Sequence, residues 1–344
     1  MIRTKKYFVL GMMVLVPLVS IATWFVWEKN AIKFYSRRAY TAWKAGEYDK
    51  AIRLYDEILR RDPSRAQTLV NRGSAYSRIG QCEKAISDLD KAIILSPSEY
   101  WYLGRRGGVY EQMGKYERAL EDYTRVVESE VTAKITQGQS PLNRGRVLRK
   151  MGKFAEAKDE FCATLRVDAN FPPYTASVSF EMGLIHFCEG EWKDAVECFS
   201  KATRGYQSFS HDRQIPLFTY VAKTLAGQDG RVDLERWSSY CANNPSWHLP
   251  AVDLFLGQTT TNEMLSASTN NVVSPVGPLT RTSDAYFHLG CYHLLNNEKA
   301  AAKTCFERCI SLGVLGSLGF QCSPYVLKFC QNAEVSSTHD ASAR

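Results

Sequence analysis

Six histidines and ten cysteines are the residues of this 344-residue chain best suited to metal or nucleophile chemistry, yet their spacing encodes neither. His186, His211, His248, His288, His293 and His339 form no HExxH motif and no ligand-spaced cluster with Cys or Asp, so no metal site is expected. His288 and His293 stand five apart, which on a helix sends them to different faces. No two cysteines form a CxxC pair, and Cys82, Cys198 and Cys309 occupy positions where a small buried apolar residue fits a helix. Two readings of the cysteines are open: buried free thiols, or distant pairing such as Cys322 with Cys330 in an oxidising compartment. GxSxG, phosphate-loop and glycine-rich dinucleotide motifs are absent. No catalytic residue and no cofactor are therefore expected, unless folding alone assembles a Cys–His site around Cys291.

Arginine offers a different chemistry, the bidentate recognition of carboxylates. Arg72, Arg106 and Arg144 each precede an acid by sixteen residues, namely Asp88, Asp122 and Glu160. That recurrence predicts an ion pair within each helical hairpin, although Arg38 lacks a partner because Leu54 holds the matching place. Arg37, Lys44, Arg78, Arg105, Arg146, Arg149 and Lys150 have no such acid. Arg37, Lys44, Arg78, Arg105, Arg146 and Arg149, with Asn71, make a candidate groove for a peptide with acidic segments; plain solvated charge is the competing reading. The net charge of +7 does not point to nucleic acid, because the aromatics fall at packing positions rather than forming an exposed, interleaved set.

The elements that must place these side chains repeat every 34 residues. Ala51, Ala85 and Ala119 keep that spacing, as do Gly46, Gly80 and Gly114, and Pro63 and Pro97 close two of the units. A fourth unit (Gly145, Gly152, Phe154, Ala157, Phe161) follows a four-residue insertion near Lys134–Gln137, and a fifth holds Gly183, Gly190, Trp192, Ala195, Phe199 and Ala202. Leu217–Ala226 and Val232–Ala242 read as a degenerate pair, and a last unit carries Tyr286, Leu289, Gly290, Ala302, Phe306 and Cys309. A fixed period with apolar residues at helical spacing predicts stacked helix–turn–helix units. The pattern resembles the tetratricopeptide repeat. That resemblance implies an all-α, right-handed superhelical solenoid whose first helices line a concave groove, and a scaffold rather than an enzyme. Cochaperone members grip a terminal carboxylate with a Lys/Asn/Asn/Lys/Arg clamp. The matching residues here are Ser36, Tyr40, Asn71, Trp101 and Arg105, so only Asn71 and Arg105 agree and that clamp is not expected.

Residues 32–203 are thus read as five repeats, 212–245 as the degenerate pair, 246–282 as an irregular linker with short helices, 283–330 as the last repeat and closing helix, and 331–344 as a disordered tail. Ahead of them Tyr7–Trp27 runs 21 residues without a charge, after a basic flank (residues 1–6) holding Arg3, Lys5 and Lys6. Its length suits one transmembrane helix, with Trp24, Phe25 and Trp27 at the far interface. It reads as a signal anchor that places the repeats outside the cytoplasm, in a bacterial inner membrane facing the periplasm. Ser20 and Ala22 keep a second reading open, export after signal-peptide cleavage near Ala22. Lys29, Lys33, Arg37 and Arg38 on the other flank oppose the outward orientation, since positive charge marks the cytoplasmic side. A cytosol-facing assembly factor or cochaperone-like receptor is the alternative they support.

Pro250–Leu265 (PAVDLFLGQTTTNEML) followed by Asp284–Val314 (DAYFHLGCYHLLNNEKAAAKTCFERCISLGV) resembles bacterial NlpI-type envelope lipoproteins. The resemblance implies a periplasmic, often dimeric adaptor for proteases or cell-wall hydrolases. The chain departs from that family in having no lipobox cysteine, its first cysteine being Cys82, so attachment would rest on residues 7–27.

Overall fold

The computed structural model describes residues 27–129, 139–167, 172–205, 214–243, 248–269 and 277–331. The expected membrane segment lies outside them except for Trp27, as do the insertion near Lys134–Gln137 and the tail beyond Gln331. Among the described residues no helix is long and apolar enough to cross a membrane. The chain divides into two compact units, Met1–Thr132 and Ala133–Arg344.

The first unit holds three helical hairpins: α1 (residues 27–44) with α2 (Tyr48–Arg61), α3 (Ala66–Arg78) with α4 (Cys82–Leu95), and α5 (Trp101–Gln112) with α6 (Tyr116–Glu128). Each hairpin packs on the next, α2 against α3 and α4 against α5. The second unit continues with α7 (Gln139–Lys150), α8 (Phe154–Val167), α9 (Pro172–Glu189), α10 (Trp192–Gly205), α11 (Ile215–Leu225) and α12 (Arg231–Asn243). It ends with α13 (Leu249–Phe255), α14 (Thr261–Thr269), α15 (Pro278–Leu295), α16 (Lys299–Ser311), α17 (Leu318–Val326) and α18 (Lys328–Gln331).

One turn is reused throughout. Gly46, Gly80, Gly114, Gly152, Gly190, Gly227 and Gly257 all take φ between +71° and +87°, the left-handed conformation that closes a helix without a Cβ penalty. After each, a backbone N–H reaches back five residues, as from Glu47 to the Ala42 carbonyl (2.9 Å) and from Glu191 to that of His186 (2.9 Å). In the last full hairpin Asn297 adopts the same region at φ 61°, as asparagine can. The turn also appears at Gly257, where Gln258 N donates to the Asp253 carbonyl (2.7 Å). The stretch read as an irregular linker therefore contains a short hairpin, α13–α14. A capping box starts α14: Thr260 Oγ1 accepts from Glu263 N (3.3 Å), and Glu263 Oε2 accepts from Thr260 N (2.9 Å).

In five of the hairpins a glycine on the first helix faces a large residue sixteen positions later on the second: Gly73 with Leu89, Gly107 with Tyr123, Gly145 with Phe161, Gly183 with Phe199 and Gly290 with Phe306. A Cβ at Gly145, Gly183 or Gly290 would come within 2.5–2.6 Å of Phe161, Phe199 or Phe306 respectively, and all three rings are 0% exposed. The close approach therefore demands glycine. Gly183→Ala is expected to cost about 1–3 kcal/mol by overpacking, read as a lower urea midpoint at unchanged slope.

In the second unit the first helices also meet one another. Phe187, Phe218 and Phe287, on α9, α11 and α15, pack in series, Phe187 edge-on to Phe218 at 5.2 Å between ring centroids and Phe218 tilted against Phe287 at 5.5 Å. Helices α15 and α17 pack over this surface, and α17 reaches α9 directly. Tyr325 lies over Phe154 at 4.8 Å, and Phe329 over Trp192 at 5.0 Å.

Candidate functional site

The arginines of the first unit do two separate jobs. Arg72 Nε and Nη2 donate to the two oxygens of Asp88 at 2.7 Å each, and Arg106 Nε and Nη2 make the same fork on Asp122 at 2.9 and 2.7 Å. The third guanidinium nitrogen turns to the preceding hairpin, to Asp56 (2.6 Å) and Asp90 (2.7 Å). Each arginine thus joins three successive helices. Asp88 and Asp122 are buried, and their hydrogen bonds raise the pKa of Arg72 and Arg106 against the opposing effect of burial. Arg144 Nη2 lies 3.0 Å from Glu160 in the second unit. The sixteen-residue spacing points to Asp88, Asp122 and Glu160. It also contains Asp56 and Asp90, each sixteen residues before its arginine, which a search within single repeats misses.

Arg37, Lys44, Arg78 and Arg105 are exposed and have no acidic partner among the described residues. They fall in register: Arg37, Asn71 and Arg105 are 34 apart, as are Lys44, Arg78 and Gln112. Within a helix the two columns are seven residues apart, which places them on one face. Gln112 ties the stack laterally, donating to the Ser77 carbonyl (3.2 Å) and accepting from Ser77 Oγ (2.7 Å). Half-buried Asn71 accepts from Gln67 Nε2 at 3.0 Å. Lys44 sits 4.8 Å from the centroid of exposed Tyr40, and Arg105 6.0 Å from that of Trp101.

Two groove candidates in the second unit are placed differently. Arg149 is 3% exposed; its Nε donates to Glu181 Oε2 at 2.6 Å and its Nη2 to Gln321 Oε1 of α17 at 3.0 Å. It is not a groove residue, because α9 and α17 cover it. Arg146 Nε lies 2.9 Å from the other Glu181 oxygen, with its side chain 45% exposed. Burial alone would raise the Glu181 pKa, but Arg149 and Arg146 hold it below the ordinary range. Sequence reasoning did not single out Glu181, though an acid between Phe180 and Met182 in an apolar run is the signal for a buried pair.

Asp284, likewise not singled out, anchors the start of α17. It is 1% exposed and its Oδ1 accepts from Ser317 Oγ (2.5 Å) and Gly319 N (2.9 Å), while Gln214 Nε2 donates to Oδ2 (3.2 Å). Burial raises its pKa to about 6 despite these donors.

His186, Glu189 and Glu191 bring three metal-capable atoms within 4.8 Å of one another, against the expectation of no such cluster. Lys158 Nζ already holds Glu189 at 2.7 Å. The bond from His186 Nδ1 to Glu191 Oε2 (2.5 Å) recurs at the same place in the last hairpin, His293 to Glu298 (2.5 Å). The His–Glu contact is therefore a clip across the inter-helix turn. Cys291 is 1% exposed and burial pushes its thiol well above the ordinary value, the reverse of nucleophile activation. Cys322 and Cys330 are free thiols, as are the other seven cysteines whose side chains are described.

Tetratricopeptide repeat models match residues 36–100, 102–130, 142–208 and 283–312, more than half of the chain. The chain is a tetratricopeptide repeat protein. No curated protein matches its sequence. Three solved structures illustrate what its fold is similar to. A tetratricopeptide repeat protein from Parabacteroides merdae is 15% identical with a TM-score of 0.52, covering 88% of this chain and 99% of its own. PilW, a type IV pilus biogenesis factor, is 16% identical with a TM-score of 0.54 over 64% of this chain and 97% of its own. PilF of Pseudomonas aeruginosa is 18% identical with a TM-score of 0.51 over 67% and 99%. At these identities the likeness shows the fold alone. Tetratricopeptide domains bind protein partners, and the fold is typically a non-catalytic scaffold.

Proposed function

We propose that this tetratricopeptide repeat protein is a membrane-anchored scaffold that captures an acidic peptide segment on the first-helix face of its first unit. The observation that carries the proposal is the contrast between neighbours on one set of helices. Arg72 and Arg106 are consumed by internal carboxylates, while Arg37, Lys44, Arg78 and Arg105 stay exposed without an acid among the described residues. Cations left in register along stacked helices suit an extended or helical ligand carrying carboxylates. Arg78→Glu with Arg105→Glu is expected to weaken capture of such a partner at least about tenfold while leaving the melting temperature unchanged, because neither residue supports the fold. Undiminished capture by the folded double variant would exclude this face.

The anchor is residues 7–27, and the repeats are proposed to face the periplasm from a bacterial inner membrane. Arg3, Lys5 and Lys6 support that orientation, and the resemblance of the carboxy-terminal third to NlpI-type lipoproteins supports an adaptor role for envelope proteases or hydrolases, with homodimerisation. The second reading, a cytosol-facing assembly factor or cochaperone-like receptor, is favoured by Lys29, Lys33, Arg37 and Arg38. A periplasm-active reporter at the carboxy terminus separates the two by its activity.

A further inference from the structure

Helix α1 differs from the other first helices of its unit in what it shows to solvent. Trp27, Phe34 and Tyr40 are 59%, 53% and 56% exposed, although large aromatics ordinarily fill tetratricopeptide cores. Lys29, Lys33, Arg37, Arg38 and Lys44 are exposed among them. The expectation that no aromatic set is exposed between basic residues therefore fails on this helix. Its one acid, Glu28, turns inward to Arg61 at 3.3 Å, so the exposed face carries no carboxylate. Trp27, Asn30, Phe34, Arg37, Arg38 and Thr41 follow the three-and-four spacing of a single helical stripe. Beside the stripe, Arg37, Arg38, Thr41 and Lys50 line a shallow cleft of about 280 Å³, whose single carboxylate, Glu47, is held by Lys50 at 2.6 Å.

From this arrangement we infer that the outer stripe of α1 lies on an anionic phospholipid surface. Phe34 and Trp27 enter the headgroup layer, and Lys29, Lys33 and Arg38 meet lipid phosphates. The occupant follows from continuity and charge. Trp27 is the last residue of the uncharged Tyr7–Trp27 run and already lies on α1, so the stripe adjoins that run directly along the chain. Interfacial helices combine aromatic insertion with a basic polar face, and clustered Lys and Arg beside a membrane segment attract acidic lipid. Nucleic acid is the weaker fit, because among the described residues of the first unit the exposed large aromatics stop at α1, whereas a stacking groove would continue onto α3. Arg37 marks the boundary with the peptide face, which extends through Lys44, Arg78 and Arg105. The inference rests on the membrane-anchored reading, and its test separates the two.

The full chain is reconstituted into vesicles of phosphatidylcholine alone or with about 30% phosphatidylglycerol, with photoreactive benzoylphenylalanine replacing Phe34, or Ile94 as the exposed control on α4. Lipid adducts at position 34 are expected to exceed those at 94, to rise about tenfold with phosphatidylglycerol, and to be lost in Lys33→Glu with Arg38→Glu. Equal yields at the two positions, indifference to lipid charge, or cross-linking to nucleic acid or a second copy instead of lipid would overturn the inference. Flotation after an alkaline wash tests the anchor independently. Chain that washes off but still cross-links at neutral pH refutes the anchor and keeps the surface contact; chain that stays and does not cross-link does the opposite. Loss of both refutes both.

Discussion

Glu181→Ala is expected to destabilise the second unit by about 3–5 kcal/mol, more than Gly183→Ala, because it leaves a buried guanidinium without its counter-ion. Arg149 is sealed by α9 and α17, and Glu181 is its only acidic partner in the described residues. The Gln321 amide oxygen would remain but cannot neutralise the charge. Arg146 is half exposed, so losing the same carboxylate costs it little. Substituting both buried partners by apolar residues, Glu181→Met with Arg149→Leu, should restore much of the loss, since a desolvated ion pair is worth little net against a packed apolar pair. Urea titration of the two variants decides it. A Glu181→Ala midpoint near wild type would mean that water reaches Arg149.

The second large effect has a pH signature of opposite sign to that of Glu181. The Asp284 pKa is raised to about 6 by burial, so its folded state prefers the neutral acid. A raised folded-state pKa gives stability that is present below the unfolded carboxylate value and lost as pH climbs through about 6. Asp284→Asn keeps an oxygen for Ser317 and Gly319 but cannot ionise. Relative to that variant, the wild type is expected to lose about 2–3 kcal/mol between about pH 4 and about pH 8. Chemical denaturation of both proteins across that range checks the difference, which cancels every other titrating group. A constant difference would show that Asp284 is hydrated. Glu181 behaves conversely: its pKa is lowered by Arg149 and Arg146, so its contribution is present above the ordinary carboxylate range and lost as pH falls through that lowered value.

What the sequence disclosed was everything that recurs at short range. The hairpins and their glycine turns follow from offsets within one repeat. The arginine ladder was half legible: Asp88 and Asp122 stand out because they share the arginine's own repeat, whereas Asp56 and Asp90 belong to the repeat before it. Arg149 was misplaced for a related reason. Its repeat position resembles that of an exposed arginine, but its environment comes from Glu181, 32 residues on, and Gln321, 172 residues on. No period reports contacts of that length. Asp284 gives no signal because its partners, Ser317 and Gly319, lie outside any repeat. The exposed aromatics of α1 are hidden in the sequence because repeat averaging assigns aromatics to the interior, and only the accessible surface shows that Trp27 and Phe34 are turned out.

The span from Arg149 to Gln321 also sets a clock. During synthesis the first unit can close its ladder in steps of sixteen residues, each hairpin finding its ion pairs as soon as the next helix emerges. The second unit cannot. At translation rates of about 5–20 residues per second, its opening helices wait roughly 10–30 s before α17 exists to cover them. Throughout that interval Arg149 and the aromatic face of α9 lack their final cover, and the second unit is at its most exposed just before α17 is made.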